Sequence, residues 1–309
     1  ITGTLLTSAS VNDTLNVNFL KMQAVKELKT VLETQPEWIK VHAAEYLIWL
    51  GHKKDAKDVF LKENKLHGTE PRYRIGIWRV LAQTESDATA KMKWVNKIMQ
   101  VFGGLQAPDR LHAAETLGKL NTSPFDEFPE ATRQSLSAAN RNLGLYTLWA
   151  TSYQSPETVK ENRHKFLQTA LNDTNKDARL ISSYILRKLK GLNKDEWTEL
   201  ATKAIEEPDT SAVKMSLLTT AFIIVPDKRQ EEELFVKIRN ELVKDPALLP
   251  ASKRIELAMA LAENGSKKDL ALLNAMLENN NTSDIYDAHS KEAADVRAAA
   301  AYAILKLTK

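Results

Sequence analysis

The sequence predicts an all-α fold made of about eight helical hairpins stacked in one solenoid. Three observations carry this. The chain has 309 residues but only ten Gly and ten Pro, few turn formers for an all-β protein of this size, and Ala, Leu, Lys and Glu are abundant. One phrase occurs twice: "VHAAEYLIWL" at 41–50 and "LHAAETLGKL" at 111–120 agree at six of ten positions. A looser form of that phrase marks eight segments in all. In each, a basic residue is followed three places on by a small or apolar residue, and seven places on by another. Steps of three and then four residues keep all three side chains on one helical surface.

The eight segments are Lys40/Ala43/Leu47, Arg74/Ile77/Leu81, Arg110/Ala113/Leu117, Arg141/Gly144/Leu148, Arg179/Ser182/Leu186, Lys214/Leu217/Ala221, Arg254/Leu257/Leu261 and Arg297/Ala300/Ile304. Their basic residues lie 34, 36, 31, 38, 35, 40 and 43 positions apart, so each segment reads as the second helix of a repeat. Apolar stripes at 18–34, 53–66, 86–102, 155–171, 193–207, 228–245 and 266–279 supply first helices. Several open on Ser, Asn or Asp, which cap free helix N–H groups. Pro36, Pro71, Pro108, Pro226 and Pro250 mark breaks. Residues 121–130, with two Pro and two Phe, replace part of the first helix of the fourth repeat, and 279–292 lengthen the turn of the last. Residues 1–309 read as a single domain.

"LQTALNDTNKDARLISSYILRKL" at 167–189 resembles a HEAT repeat: an apolar first helix, an Asn-Asp turn, then an acidic-apolar-Arg start to the second helix. "DVRAAAAYAILKL" at 295–307 is similar to the second helix alone. Tetratricopeptide repeats fit less well, because their 34-residue period is stricter and their Trp–Leu-Gly–Tyr signature is missing. The resemblance implies a right-handed α-α superhelix, used mainly for protein binding. It also implies that Asp173 and Arg179 form ladder contacts with neighbouring repeats. Physical reasoning agrees: one hairpin cannot bury its apolar face alone, and stacked neighbours bury it jointly. Small residues such as Ala43, Ala113 and Ala300 let adjacent helices approach to about 8–10 Å.

Composition narrows the function. The formal charge is +3 with basic and acidic residues interleaved, which does not build a nucleic-acid face. No Cys is present, so disulfides, thiolate metal sites and Cys nucleophiles are excluded. Absence of thiols favours a bacterial periplasm or cell envelope. The chain starts at Ile1 without Met and without a signal-peptide pattern, so an upstream segment is expected to have been removed. The longest apolar run, "LLTTAFIIV", has nine residues, against roughly 20 for a membrane span. No phosphate loop, nucleophile elbow or zinc-protease motif occurs, and no cofactor is expected.

The repeated His-Ala-Ala-Glu places His42 near Glu45, and His112 near Glu115, one helical turn apart. Such a pair can share a metal. Deoxyhypusine hydroxylase, an iron enzyme with HEAT repeats, uses adjacent His-Glu pairs in four repeats, a pattern missing here. The two phrases also sit two repeats apart, roughly 16–20 Å, too far for one metal. Between them, Gly76 takes the His position and Arg79 the Glu position. Stacking then predicts a polar ladder Glu45–Arg79–Glu115. Trp49 shares the face of His42, Trp78 neighbours Arg79, and Tyr146, Tyr184 and Tyr302 take the place of Glu45 in their own repeats. The candidate binding residues are therefore His42, Glu45, Trp49, Trp78, Arg79, His112 and Glu115, on a concave face made by the second helices. The expected role is a non-catalytic interaction or scaffold module for a protein or peptide partner. A small-ligand or glycan site, or a metal-dependent enzyme using the His-x-x-Glu pairs, are the alternatives.

Overall fold

A computed structural model describes residues 16–228, 232–246, 249–278 and 291–309. Among them lie sixteen α-helices and no strand, so the chain is all-α. They pair as hairpins: α1 (Val17–Thr34) with α2 (Glu37–Trp49), and α3 (Lys53–His67) with α4 (Tyr73–Thr84). Next come α5 (Ala88–Gly103) with α6 (Arg110–Lys119), and α7 (Pro129–Leu136) with α8 (Arg141–Thr151). The fifth and sixth pairs are α9 (Pro156–Asn172) with α10 (Lys176–Leu189), and α11 (Lys194–Glu206) with α12 (Lys214–Ile223). The last are α13 (Glu232–Leu242) with α14 (Ala251–Asn264), and α15 (Leu270–Leu277) with α16 (Lys291–Leu307).

Local chemistry explains the boundaries. Asn16, Asp87, Asn140, Ser155, Asn175 and Asn193 each accept a hydrogen bond from the backbone N–H three residues on, satisfying a donor that the helix itself leaves free. Pro129 and Pro156 stand at the first helical position, where a missing N–H costs nothing. The irregular stretch before Pro129 leaves α7 only eight residues long, and its Phe128 ring lies against Gly103. Residues 279–290, the bulk of the long turn expected at 279–292, are outside the described residues.

The register read from the sequence governs the packing. The residues seven places past the basic one, Leu47, Leu81, Leu117, Leu186, Ala221, Leu261 and Ile304, have 0% exposure. Ala43, Ala113 and Ala300, three places past it, are equally buried. The basic residue itself reaches the next hairpin. Lys40 binds Glu63 of α3 (2.6 Å), Arg74 binds Asp109 before α6 (2.7 and 3.0 Å), and Arg141 binds Asp173. Arg179 grips both oxygens of Glu207 (2.7 and 3.0 Å), and Lys214 reaches Glu241 of α13 (3.2 Å).

This ladder does not stop at the last hairpin. Arg297 of α16 donates to Glu27 of α1 at 2.7 Å, the same kind of contact, now from the eighth hairpin to the first. α16 packs on both α1 and α2, and its contact with α1 is as extensive as that between the paired helices α9 and α10. Tyr46 and Tyr302 stack at 4.9 Å between centroids, His42 Nδ1 lies 3.0 and 3.1 Å from the Asp295 carboxylate, and Lys21 Nζ donates to the Thr308 carbonyl (3.0 Å). The second helices α2, α4, α6, α8, α10, α12, α14 and α16 each pack on the next, and α16 packs on α2. They form a closed inner ring, with the first helices outside. Neighbouring hairpins touch through their second helices as expected, and the stack of hairpins closes on itself as a ring.

Candidate functional site

Closure turns the concave face into a central cavity. Because the two helices of each hairpin run in opposite directions, all second helices run the same way, and equivalent residues form tiers. Five places past the basic residue stand Glu45, Arg79, Glu115, Tyr146, Tyr184, Thr219, Met259 and Tyr302. Nine places past it stand Trp49, Gln83, Lys119, Ala150, Lys188, Ile223, Glu263 and Lys306. One cavity of ≈ 370 Å³ is lined by Glu45, Glu115, Tyr146, Tyr184 and Met259 of the upper tier, with His42 and Glu256 at its rim. An adjoining cavity of ≈ 350 Å³ takes Trp49, Lys188, Ile223, Glu263 and Lys306 from the lower tier. The ring is narrow: the Lys188 ammonium of the fifth hairpin lies 5.5 Å over the Trp49 ring of the first.

Of the predicted ladder, the Glu45–Arg79 rung is direct, whereas Glu115 meets Arg79 only through the electrostatic field. Arg79, with 0% exposure, donates Nε and Nη2 to the two Glu45 oxygens (2.8 and 3.0 Å) and Nη1 to Thr116 Oγ1 (3.3 Å). Gln83 adds a 2.7 Å bond to Glu45. Glu115 meets Lys119 directly (2.7 Å) and feels Arg79 through the field between them. Burial disfavours charge on Glu45, but Arg79 and Lys119 outweigh it and hold the carboxyl near a pKa of about 2. Glu115 is likewise lowered, burial being overcome by Lys119, His112 and Arg79. Both acids are ionised and matched, so this network is a fixed charged wall.

The two histidines part company. His42 faces Asp295 at the seam, while the His112 ring lies tilted against Trp38 at 5.4 Å and its Nδ1 lies 3.9 Å from Glu115. Trp38 spans that gap because α4 has Gly76 at this level: a Cβ there would lie 2.9 Å from Val41 and 3.1 Å from Trp38. Among the described residues, no group of three His, Asp or Glu side chains is placed to hold a metal ion.

Trp49 reaches the cavity and is 39% exposed, with Nε1 donating to Gln83 and its ring edge-on to Tyr46 and Tyr302. Trp78 does not reach it. Its Nε1 donates to Asn64 of α3 (3.1 Å), and Lys97 of α5 lies over its ring, so it belongs to the junction between the two layers. One step along a helix turns a side chain by about 100°, which separates Trp78 from Arg79.

Tyr146, Tyr184 and Tyr302 line the cavities from the position Glu45 holds in its own repeat. Burial raises the Tyr302 phenol to about 12, with Glu263 adding to the effect, and Tyr146 is raised too, by burial and then by Glu115 and Tyr184. Both stay neutral donors. Not among the candidates from the sequence are Lys119, Arg187, Lys188, Glu256, Glu263 and Lys306. Arg187 crosses from α10 to Glu256 of α14 at 2.5 Å while also binding Ser216 and Thr220 of α12. Extending the register from seven places to nine locates four of these six. Compared with family models, with curated proteins and with solved structures, the chain matches none.

Proposed function

We propose that the chain is a non-catalytic binding module whose ligand enters the centre of the ring. The expected partner, a protein or peptide lying along the concave face, is narrowed by closure. A folded surface can meet only the outer layer, whereas an extended segment or a small ring-bearing molecule fits the cavity. The observation that carries this is Trp49: it is exposed at the cavity while its aromatic neighbours Tyr46 and Tyr302 are 5% and 3% exposed. Aromatic faces beside fixed polar groups are the usual furniture of ligand pockets, and both cavities lie within or close to the lower part of the typical range of about 300–1,000 Å³. A glycan is the second reading, since a flat sugar face stacks on Trp as an aromatic ring does. No helix among the described residues is long and apolar enough to cross a membrane, and none of the binding chemistry here calls for one.

Soaking crystals with aromatic and sugar fragments tests the proposal. Bound fragments should collect against Trp49 and Tyr184 and disappear in Trp49→Ala. Fragments found only on the outer helices would end it.

A further inference from the structure

Building on that central site, we infer that its lower cavity selects a ligand carrying an anionic group on a flat ring. The charge count at this level is unbalanced. Lys190 and Lys306 share a single carboxylate, Glu263, at 3.8 and 3.9 Å. Lys188 forms no ion pair among the described residues; its ammonium rests on aromatic faces, 5.5 Å from the Trp49 centroid and 5.4 Å from that of Tyr184. Three ammonium groups therefore face one carboxylate in a space of ≈ 350 Å³.

The ordinary explanation for lysines here is the partial negative charge at helix C-termini, equivalent to roughly half a charge each. The hydrogen bonds argue against that as the whole account. The last carbonyls of α12 are taken by the Asn264 amide (2.6 and 3.1 Å), and those of α2 by the N–H groups of Leu50, Gly51 and His52. Among the described residues, none of the three lysines donates to a helix-end carbonyl. Other cations nearby differ: Lys119 and Arg187 each have a carboxylate within 3.0 Å, as does Arg79 buried in the wall. The cationic excess gathers at Lys188, Lys190 and Lys306, beside the exposed Trp49.

Ring and charge requirements meet at Lys188. A cation over an indole face at an exposed site is a weaker contact than a charge-assisted hydrogen bond. A ligand ring stacked on Trp49 takes the place the ammonium now holds, and the ammonium turns to the ligand's anion. The anion can sit on an aromatic acid or on an acidic sugar; the chemistry that recognises them is shared.

Calorimetric titration of the full chain with 2-naphthoate, 2-naphthamide and 2-naphthylmethylammonium, and in parallel with glucuronate and glucose, tests this. The anion should bind about tenfold tighter than its neutral twin in at least one series, consistent with one charge-assisted contact, and the series showing it identifies the source. Lys188→Met, which keeps the stem and removes the charge at an exposed position, should cut that preference to about threefold or less, by the same reasoning. Equal binding of neutral and anionic twins, tighter binding of the cation, an unchanged preference in Lys188→Met, or no binding in either series would each overturn the inference. Trp49→Ala separates it from the central-site proposal. If that change weakens every probe but charge does not matter, only the anion inference fails. If it weakens none, both fail.

Discussion

Arg297 of the final hairpin donates to Glu27 of the first across 2.7 Å, the contact that Lys40, Arg74, Arg141 and Arg179 make to the hairpin that follows each of them. The seam thus repeats the contact that five of the other junctions make. The rest of the seam is aromatic and polar: Tyr302 on Tyr46, and His42 against Asp295.

Closure can be tested by cross-linking. The chain has no Cys, so His42→Cys with Asp295→Cys gives two unique thiols separated by 253 residues in sequence. A short bis-maleimide should join them within one molecule, seen as faster migration on a denaturing gel with no dimer. An open rod would give no intramolecular product.

The stacked tyrosine should matter more than the ion pair. Tyr302 is 3% exposed, and truncating a buried aromatic to Ala costs roughly 3–5 kcal/mol. The Arg297–Glu27 pair, with side chains 21% and 22% exposed, should contribute about 1 kcal/mol or less. Urea denaturation of Tyr302→Ala and Glu27→Gln checks the order.

Glu45 is the costliest residue of the polar wall to remove. Glu45→Ala leaves the fully buried Arg79 without its main partner, which should destabilise by roughly 3–5 kcal/mol. Pairing it with Arg79→Met should recover most of that, since the uncompensated charge goes too. A double-mutant cycle in urea gives the coupling.

Acid should loosen the ring through this wall. The folded pKa of Glu45 is about 2, against an ordinary 4.5. A lowered pKa stabilises the fold above the unfolded value, and that gain disappears as pH falls through the folded one. The contribution, on the order of 3 kcal/mol, should be complete above pH about 4.5 and lost towards pH about 2, with Glu115 acting in the same direction. Glu45→Gln should flatten the dependence of the urea midpoint over that interval.

Gly118 sets how closely α6 meets α8. A Cβ there would lie 2.4 to 3.0 Å from the Trp149 ring, and that ring is fully buried. Gly118→Ala gains about 1 kcal/mol of helix propensity at most, while overpacking costs about 1–3 kcal/mol. The variant should therefore melt below the parent in a thermal scan.

Much of the framework was readable from one spacing. Positions three and seven past the basic residue are core in nearly every hairpin, and position five placed Arg79 between two glutamates. What stayed hidden has physical reasons. Closure is the sum of the turns between all eight hairpins, and no single residue encodes it. Trp78 was misplaced because nearness in sequence is not nearness on a helix. Lys188 and Glu263 were overlooked because they lie one turn beyond the part of the register that packs the core.

The seam carries a consequence for how such an architecture changes over time. A linear array can gain or lose a unit at either tip, because the tip faces water and nothing there depends on the total. Here the tally of copies is locked by geometry. A ninth hairpin would have to prise α1 from α16, widen the circumference and pull Lys188 off Trp49, all at once. Variation is therefore steered towards the outer helices and their turns, such as the shortened α7, while the inner eight keep their number.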